Sequence, residues 1–310
     1  MTIAAQINYL KKHGQFFDEY LTFYQEILTL QESIRISINT ERLEAFARTS
    51  DPRTRLQRGE PLIVKKNLYI EPRIATSFFN ALLTIFKQYP QQFPAETIET
   101  LHQTEINDKH LPIELVQHYL SENTEYFIQL SEQLKIESSL LVFIAKTTSL
   151  PFIEAYLDLF KPYLADVNKT WEQSLCPFCG SIPAMARLEK ESGQRHLWCA
   201  VCHTEWTFVR NRCPYCDYEN LEQNRYFFEE HDSLYRVYVC DQCKRYLKTI
   251  DENKYRFVEK INLSLEDMIT QYLDEIAVAE GYQSPLRWSN MDFQSHHDNQ
   301  GEKDQTDRPM

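Results

Sequence analysis

Apolar residues in the first 170 positions recur at steps of three and four, which is the spacing of one face of an α-helix. The first stripe contains Phe16, Tyr20, Phe23, Tyr24, Ile27 and Leu28. Other stripes contain Phe78, Leu82, Ile85 and Phe86; Leu115, Tyr119 and Leu120; Phe127, Leu130 and Leu134; and Leu140, Phe143 and Ile144. Prolines at 90, 94, 112 and 151 mark the predicted connections, and a last helix is expected to open after Pro151. Residues 1–170 are therefore predicted to be helical.

The helical period ends after Trp171, and short runs typical of β-strands follow. Segments 225–228 and 235–239 are predicted to form one hairpin, and segments 246–250 and 255–258 a second. A helix is then expected from Leu263 to near Gly281. The polar, aperiodic residues from 283 to 310 are expected to be disordered.

All eight cysteines lie between positions 176 and 243, in four Cys-x-x-Cys pairs. A tight turn within each pair can aim two sulfurs at one ion, so two pairs complete a tetrahedral four-thiolate site. The gaps of 19 and 23 residues suit a hairpin that leaves one pair and returns to the next, as in a zinc ribbon, and the gap of 10 residues suits a linker. We therefore predict one metal site at Cys176, Cys179, Cys199 and Cys202 and a second at Cys213, Cys216, Cys240 and Cys243. Cross-braced pairing, first with third and second with fourth, is the alternative.

Two of these turns have the rubredoxin-like form Cys-Pro-aromatic-Cys, followed by Gly180 in one and Asp217 in the other. Proline fixes φ after the first ligand, and Gly or Asp tolerates the left-handed backbone that such a turn needs. Zinc is the default ion for four thiolates, but rubredoxin uses the same turn for iron. The predicted cofactors are therefore two metal ions, zinc or iron.

These patterns together predict an α+β fold. An N-terminal all-α helical domain (1–170) is followed by two small rubredoxin-like or zinc-ribbon four-cysteine β-modules (171–212 and 213–260), a C-terminal helix (261–282) and a disordered tail (283–310). Both modules have the same pair–hairpin–pair layout, which suggests a duplication.

The net charge of −12 argues against a bulk electrostatic grip on nucleic acid, which needs a basic face. The amino terminus has no basic segment followed by an apolar core, and no stretch approaches 18 uncharged apolar residues. Neither a signal peptide nor a membrane helix is therefore expected. We predict a cytoplasmic protein, in which reducing conditions favour thiolate–metal bonds over disulfides.

Other uses of the cysteines are less well supported. A thioredoxin-like pair stands at a helix amino terminus, yet no helical period follows any of these pairs. Residues 176–260 carry equal numbers of basic and acidic residues, which disfavours a nucleic-acid-binding zinc ribbon. That function and rubredoxin-type electron transfer remain the alternatives. A closed four-sulfur shell has no position for a catalytic water, and no catalytic set or phosphate loop stands out. The chain is predicted to be a binding protein and not an enzyme.

Segment 176–183 reads CPFCGSIP, and segment 193–210 reads GQRHLWCAVCHTEWTFVR. RCPYC follows at 212–216, YVCDQCKRYLK at 238–248, and RGEPL occurs earlier at 58–62. These residues resemble the formate dehydrogenase accessory protein family, FdhE. The resemblance is strongest over residues 171–282, and the helical half matches mainly in layout.

That resemblance implies a cytoplasmic, chaperone-like maturation factor that binds the catalytic subunit of a respiratory formate dehydrogenase before export. It also implies rubredoxin-like sites in which iron is an expected occupant. Trp206, Phe208, Arg210 and Arg212 lie between the two predicted sites, and large aromatics with arginine are typical interface anchors. They are the candidate partner-binding residues; for Trp206 the alternative is packing under the first hairpin.

Overall fold

The computed structural model describes residues 18–49, 51–165, 171–219, 226–229, 232–255 and 261–286, together with Ile7 and Val167. The helices of the first half are α1 (Asp18–Ser37), α2 (Thr40–Thr49), α3 (Pro52–Gln57), α4 (Pro72–Phe86), α5 (Ala95–Asn107), α6 (Leu111–Leu120), α7 (Thr124–Leu134) and α8 (Ser138–Leu164). A 3-10 turn at Lys65–Asn67 precedes α4. The predicted helical half is thus confirmed from Asp18 onwards, and Phe16 of the first stripe lies outside the described residues.

Helix α8 is the centre of this half, since α1, α2, α4, α6 and α7 all pack against it. The sequence predicted a boundary at Pro151, but α8 continues through that proline. Proline has no N–H to give the carbonyl four residues earlier, which here is that of Thr147. The buried Gln31 side chain of α1 donates to this oxygen at 3.0 Å. A side chain from another helix therefore replaces the missing backbone hydrogen bond.

Helix α8 is also, among the described helices, the one long and apolar enough to cross a membrane. The sequence predicted no such stretch. In the structure, 72% of the most apolar 18-residue stretch of α8 is buried within the protein. The apolar residues of α8 therefore pack mostly within the helical core.

The second half contains strands β1 (Met185–Leu188), β2 (Arg195–Trp198), β3 (Glu205–Phe208), β4 (Tyr226–Glu229), β5 (Asp232–Val239) and β6 (Tyr246–Asp251). They form one sheet in the order β3-β2-β1-β6-β5-β4, in which only the β1–β6 contact is parallel. Each half of the sheet has the same three-stranded antiparallel layout. The two predicted modules are thus joined edge to edge in a continuous sheet.

The predicted hairpin of segments 225–228 and 235–239 is confirmed by β4 and β5. The second predicted hairpin is wrong, because segment 246–250 pairs with β5 on one side and β1 on the other. Both edges of β6 are thus occupied. Tyr255 lies just after the turn that follows β6, and residues 256–258 are outside the described residues.

Two short helices, α9 (Leu263–Ile269) and α10 (Gln271–Ala279), replace the single predicted C-terminal helix. Helix α10 packs on β6, where the buried Lys248 amine contacts Asp267 at 2.9 Å and Asp274 at 2.7 Å. Tyr24 of α1 and Ser264 of α9 share a hydrogen bond of 2.8 Å, which connects the two ends of the chain. Residues 287–310, most of the predicted disordered tail, are outside the described residues.

The helical half and the first four-cysteine segment share one hydrophobic core. The backbone N–H groups of Leu62 and Ile63 donate to the carbonyls of Pro177 and Phe178, both at 2.9 Å. Phe178 is fully buried and lies 5.9 Å from the ring of Phe160 in α8. The segment 58–62, which carried part of the sequence resemblance, therefore ends at a residue whose backbone contacts the first Cys-x-x-Cys turn.

Candidate metal centres

All four Cys-x-x-Cys pairs adopt the same backbone turn. In each, the first cysteine's N–H donates to the carbonyl five residues later, at 2.9 to 3.1 Å, and its carbonyl accepts from the N–H four residues later, at 2.8 to 3.0 Å. The donors to these cysteine carbonyls are Gly180, His203, Asp217 and Lys244. The four turns are thus structural repeats, which agrees with the suggested duplication.

The residue after each second cysteine has a left-handed backbone. Its φ is 72° at Gly180, 59° at His203, 57° at Asp217 and 55° at Lys244. The sequence predicted this conformation at Gly180 and Asp217, and the structure confirms it there. His203 and Lys244 adopt it as well, although a positive φ is uncommon for residues other than glycine. The turn geometry therefore prevails over the local preference of the side chain.

The sulfurs gather into two clusters, one of Cys176, Cys179, Cys199 and Cys202 and one of Cys213, Cys216, Cys240 and Cys243. Within each cluster the ligand atoms all lie within 4.8 Å of one another. Two Sγ–Sγ distances are 3.4 and 3.5 Å in the first cluster, and two are 3.8 and 3.7 Å in the second. Metal–sulfur bonds of about 2.3 Å in a tetrahedron place sulfurs about 3.8 Å apart, whereas a disulfide requires about 2.05 Å.

Both clusters could therefore hold a metal ion, and in the sequential pairing rather than the cross-braced one. Four thiolates in a tetrahedron suit zinc and iron alike. When bound, such an ion would fix the relative positions of two turns and of the hairpin between them. Metal ligation by the eight cysteines stays a prediction.

The first cluster is buried, with cysteine side chains at most 3% exposed. Lys65, from the 3-10 turn of the helical half, donates to Ser181 Oγ at 2.6 Å and pairs with Glu122 at 2.6 Å. Ser181 Oγ lies 3.4 Å from Cys179 Sγ, and Thr204 Oγ1 lies 3.2 Å from Cys202 Sγ. A half-buried cation and two hydroxyls thus lie around the sulfurs, as expected around a negatively charged metal–thiolate group.

The thiol pKa values of this cluster diverge. Burial raises the pKa of Cys176 and Cys202. Burial alone would raise the pKa of Cys179 too, but hydrogen bonds from the neighbouring thiols and the charge of Lys65 hold it well below its ordinary value. Lys65 therefore stabilises the thiolate form of Cys179, as it would stabilise a metal–thiolate group.

The second cluster is more exposed, with Cys216 at the surface and its three partners half-buried. The N–H of Tyr215 approaches Cys213 Sγ at 3.5 Å. Burial raises the pKa of Cys213, and it raises that of Cys243 to about 11. Burial also acts to raise the pKa of Cys240, but backbone N–H groups and neighbouring thiols lower it overall. The two clusters therefore share their turns and differ in their surroundings.

The predicted partner-binding residues fall into two groups. Trp206 is fully buried and donates to the carbonyl of Gln173 at 3.1 Å, and Phe208 is 3% exposed. Their prediction as partner contacts is corrected by this placement, because neither presents an accessible face. Arg210 is exposed, and Arg212 is half-buried with its guanidinium 4.7 Å over the Phe208 ring.

Sequence reasoning missed Lys65 and Ser181 beside the first cluster. Lys65 lies far from the cysteines in the chain and carries no motif, so only its nearness to the 58–62 segment could have indicated it. Arg187 pairs with the carboxylates of Glu205 and Glu252. His203 contacts Glu154 of α8 at 3.2 Å.

Comparison with known proteins gives one consistent match. The family profile described as "FdhE, central domain" matches residues 175–210, which contain the whole first cluster. The chain is 24% identical over 270 residues to "Protein FdhE homolog" of Aquifex aeolicus, covering 86% of this chain and 84% of that protein. It is 27% identical over 280 residues to the protein of the same name from Haemophilus ducreyi, covering 87% and 82%.

The fold is also similar to a solved structure. The crystal structure of the FdhE protein from Pseudomonas aeruginosa superposes with a TM-score of 0.58 at 20% sequence identity and covers 86% of both chains. This likeness covers the helical half as well as the sheet, so it extends well beyond the segment that the family profile matches.

Proposed function

Because the chain belongs to the formate dehydrogenase accessory protein family FdhE, we propose that it is a cytoplasmic maturation factor that binds the catalytic subunit of a formate dehydrogenase. The observation that carries this proposal is the similarity to proteins named FdhE over 86% or more of the chain. The role is chaperone-like: the chain holds or completes its client and does not remain in the finished enzyme.

In this proposal the eight cysteines bind two ions, zinc or iron, which hold the β-half in shape. A four-thiolate shell offers no open position for water, so hydrolytic chemistry at these ions is not expected. Structural zinc sites contribute on the order of 10 kcal/mol to folding. The ions therefore stabilise a surface on which the client can dock, and the chain itself is proposed to have no catalytic activity.

Arg210 is the best candidate for client contact among the four predicted partner residues. Its side chain is exposed, and its contacts are long ones, 3.5 Å to the Gly193 carbonyl and 3.3 Å to the Tyr238 hydroxyl. An arginine held loosely at the surface can turn towards a client carboxylate at little cost.

Co-purification tests the proposal. Tagged, metal-loaded chain is produced in the cytoplasm with a formate dehydrogenase catalytic subunit, and the amount of subunit retained is measured. We expect the subunit to be retained, retention to fall with Arg210→Ala, and no change with Arg53→Ala, which removes a charge from the exposed face of α3. Absence of retention, with unchanged formate dehydrogenase activity in cells lacking the chain, would contradict the proposal.

Metal analysis addresses the ions separately. We expect two ions per chain in protein prepared without oxygen. Iron–thiolate sites absorb visible light, whereas zinc sites are colourless, so the spectrum distinguishes the two. If iron is found, the exposed Cys216 makes the second cluster the candidate for rubredoxin-type electron exchange, which a redox titration of the visible bands measures.

A further inference from the structure

A cavity of about 220 Å³ lies against the second cluster. Its walls come from the turns at Cys213 and Cys240 and from β2 and β5 of the sheet. Three arginines, Arg195, Arg212 and Arg245, line it together with the rings of Tyr215 and Tyr238. Since a water molecule occupies about 30 Å³, the cavity has room for a group of several heavy atoms.

Arg195 is the unusual member of this lining, because it is buried without an acidic partner among the described residues. Its side chain is 2% exposed, and its guanidinium lies 4.8 Å over the Tyr238 ring. One N–H group, at Nη1, donates to the Arg212 carbonyl at 3.4 Å, while Nε has no hydrogen-bond partner in the described part of the chain. Burial lowers its pKa to about 10, so the group is still charged at neutral pH. A buried cation without an anion is costly and calls for a ligand.

The duplicated half of the sheet provides an internal comparison. Arg236 precedes Cys240 by four positions, as Arg195 precedes Cys199. Arg236 forms an ion pair with Asp251 of β6. In the part of the chain that the structure describes, no carboxylate lies within ion-pair distance of Arg195. Among the described residues, the arginine at this position therefore has a carboxylate partner in the second repeat, Arg236, and none in the first, Arg195.

The other two arginines add unused donors at the same cavity. Arg212 donates from Nη2 to the Glu172 carbonyl at 2.8 Å, whereas its Nε has no hydrogen-bond partner among the described residues and lies 3.6 Å from the exposed Asp217. The Arg245 guanidinium makes a ring contact, 6.0 Å from the centre of Tyr215. The lining contains one acidic side chain, that of Asp241, which accepts from the Tyr282 hydroxyl at 2.9 Å and pairs with Lys244.

The negative charge of Cys213 favours the charged form of Arg195, but compensation of the metal–thiolate charge is not the whole account of this arrangement. Among the described residues, no guanidinium of the three donates to a cysteine sulfur. The first cluster has the same four sulfurs and is accompanied by one lysine and two hydroxyls. Where the first cluster has Ser181 and Thr204, the second has Tyr218 and Arg245, both in the cavity wall. Among the described residues, the basic lining is therefore found beside the second cluster.

We propose that this cavity is a binding site for one compact oxyanion, a carboxylate or a phosphate group, held between Arg195, Arg212 and Arg245. Guanidinium groups offer planar pairs of N–H donors that match the oxygens of either group. The aromatic rings behind Arg195 and Arg245 hold these donors in place. The site does not depend on which client the protein serves.

Isothermal titration calorimetry of the metal-loaded, full-length chain tests the site at low ionic strength. The probes are inorganic phosphate, acetate, and an end-blocked Gly-Gly-Glu-Gly-Gly peptide. We expect one saturable site per chain, with affinity that falls as chloride concentration rises. Arg195→Gln should weaken binding at least tenfold, since hydrogen bonds to charged groups are the strong ones. Arg53→Gln should bind as the wild type does.

The three probes separate the possible sources of the oxyanion. Phosphate binding tighter than acetate would assign the site to a phosphoryl group. Peptide binding tighter than acetate would assign it to a carboxylate carried on a protein segment. Either result supports an oxyanion site.

Arg245→Gln is a second test of the site if Arg195→Gln fails to fold. The Arg245 side chain is half-buried at the cavity wall and makes no hydrogen bond among the described residues, so its replacement should leave the fold intact. It should also weaken binding, with the metal content unchanged. The proposal would be overturned if the wild type bound none of the probes saturably, or if both variants bound them as tightly as the wild type. Loss of metal in both variants without any oxyanion binding would also overturn it, and would assign the arginines to charge compensation.

Discussion

The contact between the helical half and the first cysteine turn can be tested through Gly180. This glycine has φ of 72°, and a Cβ added to it would lie 3.0 Å from Cγ of Pro61. Pro61 immediately precedes the two residues whose N–H groups bond to the turn. Gly180→Ala therefore disturbs both the turn and the surface docked on it.

The expected loss has two parts. A left-handed backbone costs an L-residue about 1–2 kcal/mol. Forcing a methyl group into a packed contact costs about 1–3 kcal/mol more. Gly281 is a matched control, because it has φ of 87° and a Cβ there would meet nothing within 4 Å. Gly281→Ala should thus lose about 1–2 kcal/mol, and Gly180→Ala about 2–5 kcal/mol.

Equilibrium urea unfolding of the metal-loaded protein under reducing conditions measures the difference, followed by the fluorescence of the buried Trp171 and Trp206. Adding Pro61→Ala to Gly180→Ala should recover part of the loss, since it removes the Cγ that the new methyl group meets. Equal losses for the two glycine variants, or no recovery with Pro61→Ala, would refute the reasoning that a close contact with Pro61 sets the cost.

Four further outcomes are expected. Cys179→Ser should unfold both halves together, because the first cluster lies in the core that they share. Cys216→Ser should leave the helical half intact, because Cys216 is exposed in the second cluster. Circular dichroism and limited proteolysis measure both outcomes. Gln31→Leu should lower the free energy of unfolding by about 1–3 kcal/mol in urea titrations, since it leaves the Thr147 carbonyl without its donor. Lys248→Met should lower it by about 3–5 kcal/mol in the same assay, because two carboxylates lose their buried partner. Burial lowers the pKa of His196, so its contribution to stability is full above the unfolded pKa of about 6.5 and is lost as pH falls below it. Thermal unfolding of His196→Gln should therefore depend less on pH below about 6.5 than that of the wild type.

The features that the sequence predicted well are local ones. A Cys-x-x-Cys pair determines its own turn, because the two ligands and the hydrogen bonds that close the turn lie within six residues. The helical stripes are likewise set by neighbours three and four positions apart. The same reasoning was wrong at Pro151, because the donor that satisfies Thr147 comes from a side chain 116 residues away.

The features that were not predicted from the sequence depend on contacts between distant segments. Strand β6 has the composition of a hairpin strand, and no local property indicates that its second edge pairs in parallel with β1. Lys65 reaches the first cluster only because the segment before it docks on the turn at Pro177. His203 and Lys244 adopt left-handed backbones that were not predicted from their residue types. In each case the tertiary arrangement supplies the information.

The repeated turns make the two clusters informative about each other. Since their turns share one hydrogen-bond pattern, any difference in their roles comes from what surrounds them. The helical half supplies Lys65 and the backbone of Leu62 and Ile63 to the first cluster, so an ion there is tied to the folding of the whole chain. The second cluster has an exposed cysteine and a basic cavity instead. The first cluster is therefore positioned to stabilise the fold, and the second is positioned to meet other molecules.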